Sequence, residues 1–268
     1  MTIRPSIRRV TATRNCAVAI VVALLAAGSA SAAELTGHRA DYKVVALDAP
    51  PGTTVDGESR LVMAPSCRGW DYDQSLAMTV KSSGQTLGMS LTLTGQESAD
   101  GLKGDFTIDV ALNGRQAQSK VAVSFPGKGQ RGKIVFTLDG RSTTKDVPAG
   151  LVLVASATQA MLEHLQAGDT DFTLQAMGPT APDGVEQTHV QVLDRSPFAD
   201  ARLPDEVQSA LSAKFWLVKI TRVDGANTQV LVQELHDNGV VARSQIEVSG
   251  LRLQMTAQRL RPLARPSC

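Results

Sequence analysis

The 268-residue sequence balances 27 Lys and Arg against 26 Asp and Glu and is only 4% aromatic. Basic residues gather on no stretch long enough to grip a phosphate backbone, the C-terminal Arg259, Arg261 and Arg265 being local and broken by proline, so the sequence argues against nucleic-acid binding. With so few aromatics, a stacking platform for bases or sugars is not expected, and the core must be built from Leu, Val, Ala, Met and Ile.

The chain opens with Arg4, Arg8, Arg9 and Arg14 and no acid, followed by an apolar run from Ala17 to Ala27 and the small residues Gly28 to Ala33. This is the pattern of a secretory signal peptide over residues 1–32, cut after Ala32 or Ala33. The run is too short to cross a bilayer, which takes about 20 apolar residues. Cys16 precedes it and would leave with the signal, so a lipid-anchored form is not expected. Removing four arginines leaves 23 basic against 26 acidic residues, a net charge of −3. The expected product is a periplasmic chain with a single β-rich domain over residues 33–268.

From there the sequence alternates apolar and polar residues with the period of half-buried strands. The runs are Asp41 to Leu47, Ser59 to Met63, Ser75 to Lys81, Met89 to Thr94, Phe106 to Leu112, Lys120 to Phe125 and Lys133 to Leu138. They resume at Phe172 to Met177, His189 to Leu193, Trp216 to Val223, Gln229 to Leu235, Val240 to Val248 and Leu251 to Leu260. The linkers are short and rich in turn formers: Ala99-Asp100-Gly101, Asn113-Gly114, Asp139-Gly140, Asp224-Gly225 and Asp237-Asn238-Gly239. Antiparallel hairpins follow.

One helix interrupts them. Ser156 and Gln159 fit a capping box, Ala157, Ala160, Met161 and Leu165 recur at helical spacing and are predicted to face the sheet, and Gly168 fits the position after the last turn. A shorter helix is predicted from Pro204 through Leu211, with Asp205 and Glu206 in its first turn. Ala49-Pro50-Pro51-Gly52 and Asp194 to Leu203 read as surface loops.

Chemistry-bearing motifs are sparse. His38, His164, His189 and His236 are far apart without metal-ligand spacing, and read as structural or solvated residues. No GxSxG elbow, SxxK set, GxGxxG or P-loop occurs. Asp71 with Asp73 and Asp169 with Asp171 read as solvated acids at strand edges and turns. Gly127 to Gly132 reads as a hairpin loop. No catalytic residue, cofactor or metal is expected. Once Cys16 is gone, Cys67 and Cys268 are the two remaining thiols in an oxidising compartment, and their simplest fate is a disulfide across 201 positions.

Five segments then carry a likeness that composition does not supply: Leu35 to Tyr42, Gly57 to Val62, Ser66-Cys67-Arg68-Gly69-Trp70, Val147-Pro148-Ala149-Gly150, and Leu260 through Cys268. With them the chain resembles the envelope integrity protein B family of alphaproteobacteria, long known as a domain of unknown function, over essentially its whole length after the signal. The most specific element is the early Cys67 with the terminal Cys268, which family members pair. The sequence departs from the family around Met63 and at Tyr72 to Leu76, where members are richer in aromatics.

The resemblance implies a mostly β fold: a large bent antiparallel sheet, spiral or half-barrel, with one helix in its concavity and a short second helix. It also implies a non-catalytic role in cell-envelope integrity and stress resistance, through binding a protein partner or an envelope component, alongside a periplasmic tetratricopeptide-repeat protein. The alternative is a carrier of lipid or lipoprotein, with a lipid or cell-wall component as its ligand. Met63, Met78, Met89, Met161, Met177 and Met255 would then line an adaptable cleft, or else simply fill the core.

Overall fold

Alternating runs of this length cannot bury one face alone, so they assemble edge to edge. In the computed structural model, which describes residues 35–178, 181, 184–198, 202–224, 227–248 and 251–268, they form one 14-stranded antiparallel sheet that does not close into a barrel. The first meander is β1 (His38–Ala46), β2 (Thr53–Ser66), β3 (Gly69–Ser82), β4 (Gln85–Ser98), β5 (Lys103–Leu112), β6 (Arg115–Ser124), β7 (Gly132–Leu138) and β8 (Arg141–Val147). Helix α1 (Val154–Ala167) follows. The second meander is β9 (Asp171–Met177), β10 (Val185–Val192), α2 (Asp205–Ala210), β11 (Phe215–Asp224), β12 (Asn227–His236), β13 (Val241–Val248) and β14 (Leu251–Pro262). The proposed signal peptide, Cys16, Ala32, Ala33 and the glycine of Asp224-Gly225 lie outside the described residues.

The last strand returns to the first. β14 pairs with β1 from His38↔Pro262 to Ala46↔Leu253, giving the strand order 8-7-6-5-4-3-2-1-14-13-12-11-10-9. β8 and β9 are thus the two free edges, and α1 is the connection between them. Val152 makes a parallel bridge to Ala176 of β9 just before the helix begins.

Thirteen strands follow the predicted alternation. β8 does not, because Arg141-Ser142-Thr143-Thr144-Lys145-Asp146-Val147 is polar and mostly exposed, as suits a charged edge strand that discourages pairing with other chains. At the tips beside it, Asn113-Gly114 and Asp139-Gly140 both take positive φ at each residue (49° and 78°; 50° and 75°), the backbone of a two-residue hairpin.

α1 packs on strands from both meanders. Met161, Leu162 and Leu165 share a buried cluster with Met63 of β2, Val190 of β10, Val218 and Ile220 of β11, and Leu231 and Leu235 of β12. Leu153 and Val154 meet Phe106, Val121 and Ile134 on the other side. The helix therefore lies inside the bend of the sheet. Its buried residues are Ala155, Met161, Leu162 and Leu165, whereas Ala157 and Ala160 are only half-buried. Full burial of a leucine such as Leu162 contributes about 1.5–3 kcal/mol.

The capping box is not formed. The helix starts three residues earlier, with Leu153 at the N-cap and no side-chain cap of its own. Glu97 of β4 takes that role: its Oε2 accepts from the Ala155 N–H at 2.7 Å and its Oε1 from the Ser156 N–H at 3.0 Å and from the Ser156 hydroxyl. A carboxylate at the positive end of the helix dipole is thus supplied by a distant strand. Burial pushes the Glu97 carboxyl above the usual glutamate range, against the pull of those bonds. At the other end, Gly168 adopts the left-handed conformation (φ 93°) and closes the helix as predicted.

Pro204 stands at the N-cap of α2, with Asp205 and Glu206 in the first turn. Val207 and Leu203 pack against Ala40, Ala242, Ala257 and Leu260. The segment before α2 is more than a surface loop: Phe198 and Leu203 are buried, the Arg243 guanidinium stands 6.0 Å from the Phe198 ring centre, and Gln245 donates to the Pro197 carbonyl.

Beyond β14, Leu263 donates its N–H to the Gly37 carbonyl, and the tail reaches the β2–β3 turn. There Cys67 and Cys268 meet with Cα atoms 5.6 Å apart, placed as a disulfide pair. Closing so long a loop restricts the unfolded chain by about 5 kcal/mol at most. Alkylation of the unreduced exported protein is expected to label neither cysteine, and reduction to lower the unfolding free energy by up to that amount. Mass spectrometry showing both labelled without reductant would contradict the bond.

Candidate functional site

The bend of the sheet around α1 leaves a cavity of about 330 Å³. Its apolar walls include Leu61, Met63, Leu93, Met161, Leu174 and Ile220. Four of the six methionines singled out from the sequence reach it: Met63, Met161, Met177 and Met255. Met78 and Met89 do not, being packed with Val44 and Leu253 in a separate cluster.

The same cavity holds polar groups that the fold leaves unsatisfied. Nε2 of His38, Oγ1 of Thr188 and Oγ of Ser244 are buried without a hydrogen-bond partner, and all three residues line it together with Arg222, whose Nε has only the Glu186 carboxyl nearby. His38, Thr188 and Ser244 are 1%, 4% and 1% exposed. Each such atom costs about 1–3 kcal/mol if left unpaired. Natural chains seldom leave several such groups in one place, and here they converge on one cavity.

Strand phase puts them there. Inward positions alternate as His38, Ala40, Tyr42 and Val44 on β1, and Val218, Ile220 and Arg222 on β11, with Thr188 facing Arg222 and Val190 facing Ile220 in the β10–β11 register. Ser244 lies between Gln233 of β12 and Met255 of β14. Nδ1 of His38 lies 2.8 Å from the Thr36 carbonyl, which fixes the proton on that nitrogen and leaves Nε2 as an acceptor. Burial pushes the His38 pKa down, so the ring is neutral. Arg222 Nε sits 3.5 Å from Glu186 Oε1, and burial pushes the Glu186 carboxyl up against the pull of that guanidinium. Tyr42 donates to the Val241 carbonyl and Tyr72 to Gln74 Oε1. Burial raises both phenols well above their ordinary range, so both stay protonated donors.

The other histidines sit elsewhere. His164 stacks on Phe172 and pairs with Asp169, and His189 pairs with Asp171, whose carboxyl that contact pulls down. His236 is buried, with Nδ1 2.8 Å from the Ser212 carbonyl and Nε2 3.3 Å from Glu234 Oε1, tying the segment after α2 to β12. Asp71 and Asp73 lie within β3, not at its edges or turns, and with Asp105 and Lys120 border an open depression over β3–β7. Among the described residues, no three His, Cys, Asp or Glu side chains gather as a metal site. Among the same residues, no helix is long and apolar enough to cross a membrane.

The family model for EipB-like proteins matches residues 29–264. The chain belongs to the EipB-like family. No curated protein matches it in sequence. Among solved structures it is similar to the crystal structure of a β-barrel-like protein of a domain of unknown function, DUF1849, from Brucella abortus, with a TM-score of 0.72 at 16% identity. That match covers 86% of this chain and 99% of that one, and shows that the fold is shared.

Sequence reading assigned His38 to the structural or solvated histidines and passed over Thr188, Arg222 and Ser244. The usable sign was phase: extending the inward alternation of Val218 and Ile220 by two residues lands on Arg222, and that of Val190 back by two on Thr188. Replacing Thr188 by valine is expected to stabilise the ligand-free protein by about 1 kcal/mol, because it removes an unsatisfied hydroxyl and keeps the shape. Urea unfolding measures it, and a loss of that size would mean the hydroxyl has a partner.

Proposed function

We propose that this EipB-like protein is a non-catalytic periplasmic protein that supports cell-envelope integrity by holding an envelope component in the cavity beside α1. Family membership supports the envelope setting. The observation that carries the binding role is the convergence of three unpartnered buried polar atoms, on His38, Thr188 and Ser244, on one largely apolar cavity. Of the two ways of serving the envelope, docking a protein partner or carrying a small amphipathic molecule, the cavity favours the second. Its enclosure between a helix and a bent sheet suits a guest withdrawn from water better than a flat macromolecular surface.

Deleting the gene is expected to sensitise cells to detergent, and the intact gene to restore resistance. Ser244→Phe, which fills part of the cavity, is expected to restore little of it while the protein remains folded by circular dichroism. Full rescue by that variant would separate the envelope role from the cavity.

A further inference from the structure

We propose that the guest is a small uncharged amphipath, a single short aliphatic chain on a head that carries both hydroxyl and carbonyl groups, in the manner of a monoacylglycerol. This rests on the cavity being the binding site and adds the chemical class of what enters it.

Donor and acceptor accounting decides the head. Nε2 of His38 accepts, since the ring proton sits on Nδ1 beside the Thr36 carbonyl. The Nε–H of Arg222 faces Glu186 Oε1 at 3.5 Å, and the hydroxyls of Thr188 and Ser244 donate or accept. A guest that satisfies His38, Thr188 and Ser244 must bring at least one donor, for His38, while the two hydroxyls take an acceptor or a donor. An ionised carboxylate or phosphodiester brings acceptors alone and leaves His38 unpaired. An ammonium brings donors alone and sets a second positive charge beside the Arg222 guanidinium. A hydroxyl together with an ester or amide carbonyl gives His38 its donor and the hydroxyls of Thr188 and Ser244 an acceptor.

Charge agrees with that accounting. The Arg222 guanidinium already faces the Glu186 carboxyl at 3.5 Å, and an added anion there would meet Glu186 as well. Burying an uncompensated charge in such walls costs far more than burying a hydroxyl that finds partners.

Size restricts the tail. About 330 Å³ lies at the low end of the roughly 300–1,000 Å³ of small-molecule sites. That size suits one short chain better than the several chains of a phospholipid or lipoprotein. Met63, Met161, Met177 and Met255 give the walls flexible side chains that adjust to its length.

The test is calorimetric titration of the exported protein, stripped of bound lipid on a hydrophobic resin, with 1-octanoylglycerol, octanoate and octyltrimethylammonium. The octanoylglycerol is expected to bind at least tenfold more tightly than either ion. Ser244→Ala and Thr188→Val, which remove unsatisfied groups and so should fold, are each expected to weaken it about two- to tenfold. Equal or tighter binding of octanoate or the ammonium would overturn the neutral head while leaving the cavity as a binding site. Unchanged affinity in both variants would overturn the assignment of these residues to the head. If none of the three binds, native mass spectrometry of protein from periplasm separates the cases: a bound mass of another class overturns this inference alone, and an empty protein overturns the binding role with it.

Discussion

The pairing of β14 with β1 is the constraint on which the remaining structure depends. Each meander folds through local hairpins, but only the ladder from His38↔Pro262 to Ala46↔Leu253 makes them one sheet. The loop it closes spans nearly the whole domain, yet closure entropy grows only as the logarithm of length, so a nine-residue strand pair suffices to hold it. Beyond the ladder, Leu263 still bonds to Gly37 and the tail ends on Cys67, so the seam is fastened by backbone pairing and covalently.

Once the two meanders are continuous, the sheet's twist bends it and leaves its free edges, β8 and β9, to be joined by α1. The helix is held at its start by Glu97 from the first meander, and its end leads through Gly168 directly into the second. It is thereby fixed inside the bend without filling it. The cavity is what remains between Met161 on the helix and inward residues such as Ile220 and Leu231. A helix whose cap came from its own Ser156 would have had no such tether to β4.

The strands were legible because one face of each is buried, and alternation records that directly. The edge strand β8 was not, since an exposed strand owes its place to backbone pairing with β7 and needs no apolar face. Local pattern also misplaced the cap of α1: a capping box is a short-range motif, whereas Glu97 is 58 residues before Ala155. The two cysteines were readable by counting. The polar residues of the cavity were readable only in part, because phase points a side chain inward but does not say whether it will find a partner there. Whether Gln74 bonds Tyr72 while Thr188 bonds nothing is decided by packing across the bend.

A bent sheet with a tethered helix, an apolar hollow and a set of unmatched donors and acceptors makes sense as a whole if the hollow is occupied in the cell. Unfilled, the unpaired groups of His38, Thr188 and Ser244 lower stability. Filled, they orient the guest and offset their own burial. The most direct measurement is a high-resolution crystal structure of the protein purified from its native periplasm without detergent. The account predicts elongated density in the cavity, with polar atoms within hydrogen-bonding distance of His38 Nε2, Thr188 Oγ1 and Ser244 Oγ. Density for water alone, or side chains turned so that each of those atoms is paired within the protein, would contradict it.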